Sequence, residues 1–255
     1  MTATGLAVAG AVPPPQASGY KLVFDDEFDS LDLSPDGGGE HTWYEGVWFN
    51  RLHASLSDIS AASSVLTLSW KRGMAAPDTS IETLSRDGHN FHAWQYGYFE
   101  ARMRWDVAKG AWPAFWLIPV EDATGLSIHN GRRESGEIDI FEGSGDNPHD
   151  YFGTVQRWVD GKRAAANREN RYPVPNSVDY SRFHIYGLLW VPGAVTWYLD
   201  NRPLHSEKTY DILDKQHYFL IFSMQEGIDW KPGAIEGLAK DTLALNVDWV
   251  RVWQK

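Results

Sequence analysis

From Gly19 onward the chain reads as short runs in which apolar and polar positions alternate. In YFEARMRW, residues 98–105, Phe99, Ala101, Met103 and Trp105 alternate with Glu100, Arg102 and Arg104. A period of two puts the first set on one face and the second on the other, the pattern of a strand with one side in a core and one in water. Similar runs recur as KLVF (21–24), SVLTLSW (64–70), FHIYGLLWV (183–191), VTWYL (195–199), HYFLIFSM (217–224) and NVDWVRVW (246–253). Turn dipeptides such as Asp87-Gly88 and Asp200-Asn201 punctuate them. Convincing amphipathic helices are absent. The pattern predicts an all-β protein, with two stacked antiparallel sheets as its arrangement.

The first eighteen residues follow neither period: a small-residue apolar stretch runs into three prolines and then Ser. They are read as a flexible segment, a leader remnant or a linker, outside one domain spanning 19–255. No internal repeat or low-complexity break divides that domain.

Charge and composition narrow the partners. A net charge of −11 without any Lys/Arg cluster argues against nucleic acid and against an anionic membrane surface. No apolar run approaches the length of a membrane helix, and zero cysteines exclude disulfides, thiolate metal sites and a Cys nucleophile. A monomer acting on a neutral substrate is expected. The 13 tryptophans exceed what a core of this size normally requires. Trp190, Trp249 and Trp253 fall in strand runs and are assigned to packing. Trp112 and Trp116, in GAWPAFW, share a strand face with only Ala114 between them, which makes a platform for a sugar ring. Packing is the alternative for this pair as well.

The candidate chemistry lies in GEIDIFEG, residues 136–143. Glu137 and Asp139 point the same way along a strand, while Glu142, at an odd spacing, points to the other side. A solvated edge does not suit the flanking Ile138, Ile140 and Phe141, and calcium loops intersperse their acids with Gly, Asn or Ser. A charged Glu142 driven into the core would cost several kcal/mol. A β-bulge around Ile140-Phe141 removes the conflict, because its extra residue returns Glu142 to the face of the other two acids. Two Glu carboxylates there can approach to about 5–5.5 Å, the separation of a retaining glycosidase, with Asp139 between them. Crowded like charges also keep one group protonated near neutral pH.

These segments resemble glycoside hydrolase family 16. EIDIFE is similar to the bulged active-site strand of its laminarinase-like members. LVFDDEFD (22–29), YGYFEARMRW (96–105), GAWPAFWLIP (110–119), FHIYGLLW (183–190) and NVDWVRVW (246–253) resemble other strands of that family in the same order. The resemblance implies a concanavalin-like β-jelly roll sandwich with a concave substrate cleft, and retaining endo-hydrolysis of a polysaccharide. It makes Glu137 the nucleophile, Glu142 the acid/base and Asp139 the group assisting between them, with no cofactor needed for catalysis. It also implies cleft contacts for Trp112, and more weakly Trp116, a sugar-binding role for Asn50, and a structural calcium on Asp248. Gln156 stands where His is frequent in the family, and Gln225 and Glu226 replace a small-residue stretch. All three are expected at the cleft, where they alter subsite preference. A β-1,3- or mixed β-1,3/1,4-glucan is the first substrate class and a succinoglycan-type bacterial exopolysaccharide the second, implying a secreted or periplasmic protein. A non-catalytic lectin of the same fold remains the contrasting class, since fold alone does not fix function. Transglycosylation stays open beside hydrolysis.

Overall fold

The computed structural model describes residues 14–47, 52–123, 128–129, 131–166, 170–227 and 240–255. Strands dominate and lie in two antiparallel sheets. The eight-stranded sheet runs β16 (Arg202–Lys208), β15 (Ala194–Leu199), β14 (His184–Val191), β7 (Gly97–Trp105), β18 (Thr242–Gln254), β4 (Leu66–Lys71) and β3 (Ile59–Ala61), with β1 (Lys21–Asp26) also pairing with β18. The ten-stranded sheet runs β12 (Lys162–Ala166), β11 (Asp150–Val159), β10 (Arg132–Glu142), β8 (Ala111–Pro119), β17 (Tyr218–Glu226), β5 (Asp78–Glu82) and β2 (Tyr44–Glu45). Its short additions are β13 (Arg171–Pro173) on β11, β6 (Ala93–Trp94) on β17 and β9 (Ile128–His129) on β10.

The period-two alternation supplies the core directly. Phe99, Ala101, Met103 and Trp105 of β7 face inward and meet Phe115 and Leu117 of β8, Ile138 of β10, and Leu220 and Phe222 of β17 in one cluster. Stacked sheets stand about 10 Å apart, a gap that large side chains fill well. Trp43, Trp105, Trp190, Trp197 and Trp253 are accordingly among the largest fully buried side chains. The tryptophan excess is therefore in large part a packing requirement. Asp200 and Asn201, between β15 and β16, both have positive φ, 49° and 64°, as a tight hairpin demands.

Two expectations from the alternation are corrected. Glu100 does not face water: it is only 3% exposed, and Trp253 Nε1 donates to its carboxylate at 2.8 Å. Burial raises its pKa to about 6, against the opposing influence of Trp253 and Arg251. The fold also begins before residue 19. Pro15–Ala17 form a 3₁₀ turn. Gln16 Nε2 donates to Tyr98 Oη at 2.6 Å and to Asn201 Oδ1 at 3.0 Å. Ala17 is fully buried in a cluster with Tyr98 and Trp253, so the outer face of the eight-stranded sheet is capped by residues assigned to the flexible segment.

Candidate active site

The site lies on the face of the ten-stranded sheet turned away from the core, and β10 supplies its acids. On one side Glu137 stands opposite Gln156, Asp139 opposite Thr154 and Glu142 opposite Phe152, so three steps on β10 match two on β11. On the other side Asp139 faces Trp116, Phe141 faces Phe115 and Glu142 faces Ala114, two steps matching one between Asp139 and Phe141. An extra residue is thus inserted between Asp139 and Phe141, where the odd acid spacing required it. Ile140 and Phe141, although consecutive, both lie in the inter-sheet core. Glu142 returns to the outer face beside Glu137 and Asp139.

Neighbouring strands complete this face by their register. Trp112, Ala114 and Trp116 of β8 lie opposite Gln225, Ser223 and Ile221 of β17, and those opposite Asp78, Ser80 and Glu82 of β5. Trp112 Nε1 donates to Glu142 Oε1 at 2.9 Å. Trp116 Nε1 donates to Ser223 Oγ at 3.3 Å. Gln156 Nε2 donates to both Glu137 Oε1 and Asp139 Oδ2 at 3.1 Å, and Trp158 Nε1 to Glu137 Oε2 at 2.5 Å. The acids are nearly dry: Glu137 is 6%, Asp139 1% and Glu142 4% exposed.

Residues 57–250 match the model of glycosyl hydrolases family 16. The chain belongs to glycosyl hydrolase family 16. It is 26% identical over 270 residues to a β-glucanase of Rhodothermus marinus, covering 98% of this chain and 91% of that protein. It is 31% identical over 179 residues to a glucan endo-1,3-β-glucosidase of Cryptopygus antarcticus, covering 63% of each. An endo-1,3-1,4-β-glycanase of Rhizobium meliloti is 27% identical over 261 residues, which cover 91% of this chain and 51% of that one. Among solved structures, the laminarinase catalytic domain of Thermotoga maritima superposes with a TM-score of 0.73 at 21% identity, covering 92% of this chain and 98% of its own. The laminarinase of Rhodothermus marinus gives 0.66 at 25% identity, covering 92% and 97%. The two antiparallel sheets are those of a family 16 jelly roll, and the chain is a glycoside hydrolase.

In this glycoside hydrolase, burial sets the electrostatics of the acid row. It pushes Asp139 up to about 7, while donation from Gln156, Glu137 and Thr154 pulls the other way. Burial raises Glu137 and Glu142 as well, and the neighbouring carboxylates add to both shifts. Three dry carboxylates at this spacing do not all ionise near neutral pH. Of the two glutamates, Glu137 accepts from two side-chain N–H groups and Glu142 from one, so within that pair negative charge is better held on Glu137. Trp112 and the charge of Arg163 on β12 oppose the rise at Glu142.

The remaining candidates divide by register. Gln156 and Gln225 lie on the acid face as expected. Glu226 does not: it stands opposite Ala111, a core residue, because alternation allows only one of two consecutive residues to face the site. Ser223 holds the site-face position two residues before Gln225. Trp112 and Trp116 do share a face with Ala114, but they are only 5% and 4% exposed and offer little free ring. Trp112 leans on Phe152 with centroids 5.8 Å apart, and Trp116 joins an apolar cluster with Ile118, Phe219 and Ile221. Asn50 lies outside the described residues. Asp248 sits where the pairing of β18 with β7 slips between Val247 and Trp249, and Arg102 Nη1 donates to its Oδ2 at 2.5 Å. Among the described residues no cluster of three acid or histidine ligands forms, and a guanidinium on this carboxylate does not suit a calcium site.

Trp158 was missed by sequence reasoning, although a signal existed. It follows Gln156 by two residues on the same strand, so the period that brings Gln156 to Glu137 brings Trp158 to the same carboxylate.

Proposed function

We propose that this chain is a retaining endo-hydrolase of β-1,3- or mixed β-1,3/1,4-linked glucan, acting outside the cytoplasm as a monomer. One observation carries the reading: Glu137, Asp139 and Glu142 share one face of one strand, with different donors on its two outer members. Glu137, the better charge-stabilised carboxylate, attacks the anomeric carbon as Glu142 gives its proton to the leaving glycosidic oxygen. The covalent glycosyl ester on Glu137 is then hydrolysed by a water whose proton returns to Glu142. Asp139 hydrogen-bonds Glu137 and shares the charge as it moves. The scheme balances without a cofactor.

The names of the relatives supply the substrate class, since the matched proteins include a glucan endo-1,3-β-glucosidase and an endo-1,3-1,4-β-glycanase. A polymer does not cross a membrane unaided, so the enzyme must meet its substrate outside the cytoplasm. Among the described residues no helix is long and apolar enough to span a membrane. The position of Gln156 and Gln225 on the acid face supports a role for both as sugar contacts.

The test is reducing-end release on β-1,3-glucan, mixed-linkage glucan, galactan and a succinoglycan-type polymer, repeated with Glu137→Ala and Glu142→Ala in azide. Loss of about 10³-fold or more is expected for each variant. Azide should rescue the first as the α-glycosyl azide and the second as the β-glycosyl azide. Full activity in both variants overturns the assignment. Tight oligosaccharide binding without turnover of any polymer by the wild type favours the lectin reading.

A further inference from the structure

The bulge that aligns the acids is held by two side chains that bond its backbone and none of the three carboxylates. Ile140 appears in no cross-strand pair with either neighbour of β10. Tyr151 Oη donates to its carbonyl oxygen at 2.5 Å, and Trp197 Nε1 donates to the carbonyl of Asp139 at 2.9 Å. Both bonds are buried, and both land at the register break. Trp197 comes from β15 in the opposite sheet and reaches across the sandwich core to do this.

The surroundings leave each donor little freedom. The Trp197 ring lies 5.8 Å from Tyr172 and 6.3 Å from His205, centroid to centroid. A Cβ at residue 153 would meet Trp197 Nε1 at 2.6 Å, so Gly153 on β11 is what lets the indole pass. Tyr151 packs edge-on against Phe141 with centroids 5.1 Å apart, bracing the residue that follows the unpaired one.

An extra residue in a strand can be absorbed at more than one place, and each placement sends a different side chain outward. Here a shift of one position would turn Asp139 or Glu142 into the core. Backbone carbonyls at the break that already have donors resist that shift, because the displaced register would leave buried donors unsatisfied.

We propose that Trp197 and Tyr151 are positioning residues of the hydrolase: by binding the carbonyls of Asp139 and Ile140 they fix the bulge and set Glu142 against Glu137. The inference rests on the reading of Glu137 and Glu142 as the catalytic pair. Neither residue contacts the reacting atoms, so each acts through the backbone of β10.

Tyr151→Phe removes one oxygen from the core, and Trp197→Phe removes the N–H while keeping an aromatic ring. Tyr186→Phe is the control: Tyr186 packs against Phe141 and Tyr151, and its hydroxyl bonds nothing on β10. On soluble β-1,3-glucan, at temperatures where all three proteins are folded by circular dichroism, the first two variants should lose roughly 10- to 100-fold in kcat. Their KM should stay within about twofold and the limbs of their kcat pH profiles should move, since the acid pair rather than substrate binding is disturbed. Wild-type kcat in both variants, or an equal loss in the Tyr186→Phe control, overturns the proposal. A wild-type activity that survives Glu137→Ala overturns the catalytic reading instead, so the two failures are distinguishable.

Discussion

Trp112 and Trp158 give indole N–H groups to opposite ends of the acid row, at 2.9 Å to Glu142 and 2.5 Å to Glu137. A donor to a carboxylate favours its ionised form, so removing the donor raises the pKa. Trp158→Phe should raise that of Glu137 and move the acidic limb of the kcat/KM profile to higher pH, because under the proposed mechanism Glu137 must be ionised. Trp112→Phe should raise that of Glu142 and move the alkaline limb to higher pH, because under the proposed mechanism Glu142 must be protonated. Each displacement should be about one pH unit. Profiles of the two variants on the same glucan decide the matter, and displacement of the same limb by both would refute the division of roles. At this scale the acids were legible because charge in an apolar strand demands an explanation. Trp158 was legible only as far as its face, two residues from Gln156, because a tryptophan among many looks like packing until a register assigns its N–H a partner.

The bulge was legible from the same octapeptide, since only an inserted residue reconciles the spacing of Glu142 with a single outer face. Its anchors were not, as Trp197 and Tyr151 meet β10 only through the fold. The opposite placement of Gln225 and Glu226 also required register, because a strand's phase at its end is invisible until its partners are known. The bulge itself makes a prediction. Deleting Ile140 leaves the third acid four steps from Glu137, on the same face of a regular strand, so the carboxylate row persists. The deletion removes a fully buried side chain and should cost about 2–5 kcal/mol of stability. Hydrolysis should survive while the melting temperature falls, and Tyr151→Phe should have no further effect on kcat in that background. A folded deletion variant without activity would refute the phase argument.

Across the molecule, buried acids tie stability to pH. Glu100 on the eight-stranded sheet has its pKa raised to about 6 and Asp139 to about 7, both above ordinary carboxylate values. The folded state holds these protons more tightly than the unfolded chain does. Their stabilisation is full below the ordinary carboxylate range and is lost as pH rises through about 6 and 7. The melting temperature should therefore fall between about pH 4 and pH 8. Glu100→Gln and Asp139→Asn should each recover about 1–3 kcal/mol at pH 8 and little at pH 4, read by scanning calorimetry. Glu100→Gln should leave hydrolysis unchanged, because it lies on the far sheet, whereas Asp139→Asn should impair it. The two-sheet architecture was legible from period-two alternation alone, but Glu100 was not, because a polar position in an alternating run reads as solvent-facing until a layer covers it. Ala17 packs on Trp253, the residue whose indole bonds Glu100, and so belongs to the layer over this face.

The reach of Trp197 across the core also has a consequence in time. During synthesis, β8, β10 and β11 emerge together and can pair with one another, while β15 follows many residues later. β10 can therefore acquire both neighbours before the indole that anchors its irregularity exists. Non-local contacts of this kind are formed slowly. Hydrogen-exchange protection around Ile140 during refolding should consequently appear only with docking of the second sheet, making competence for chemistry a late event in the birth of the molecule.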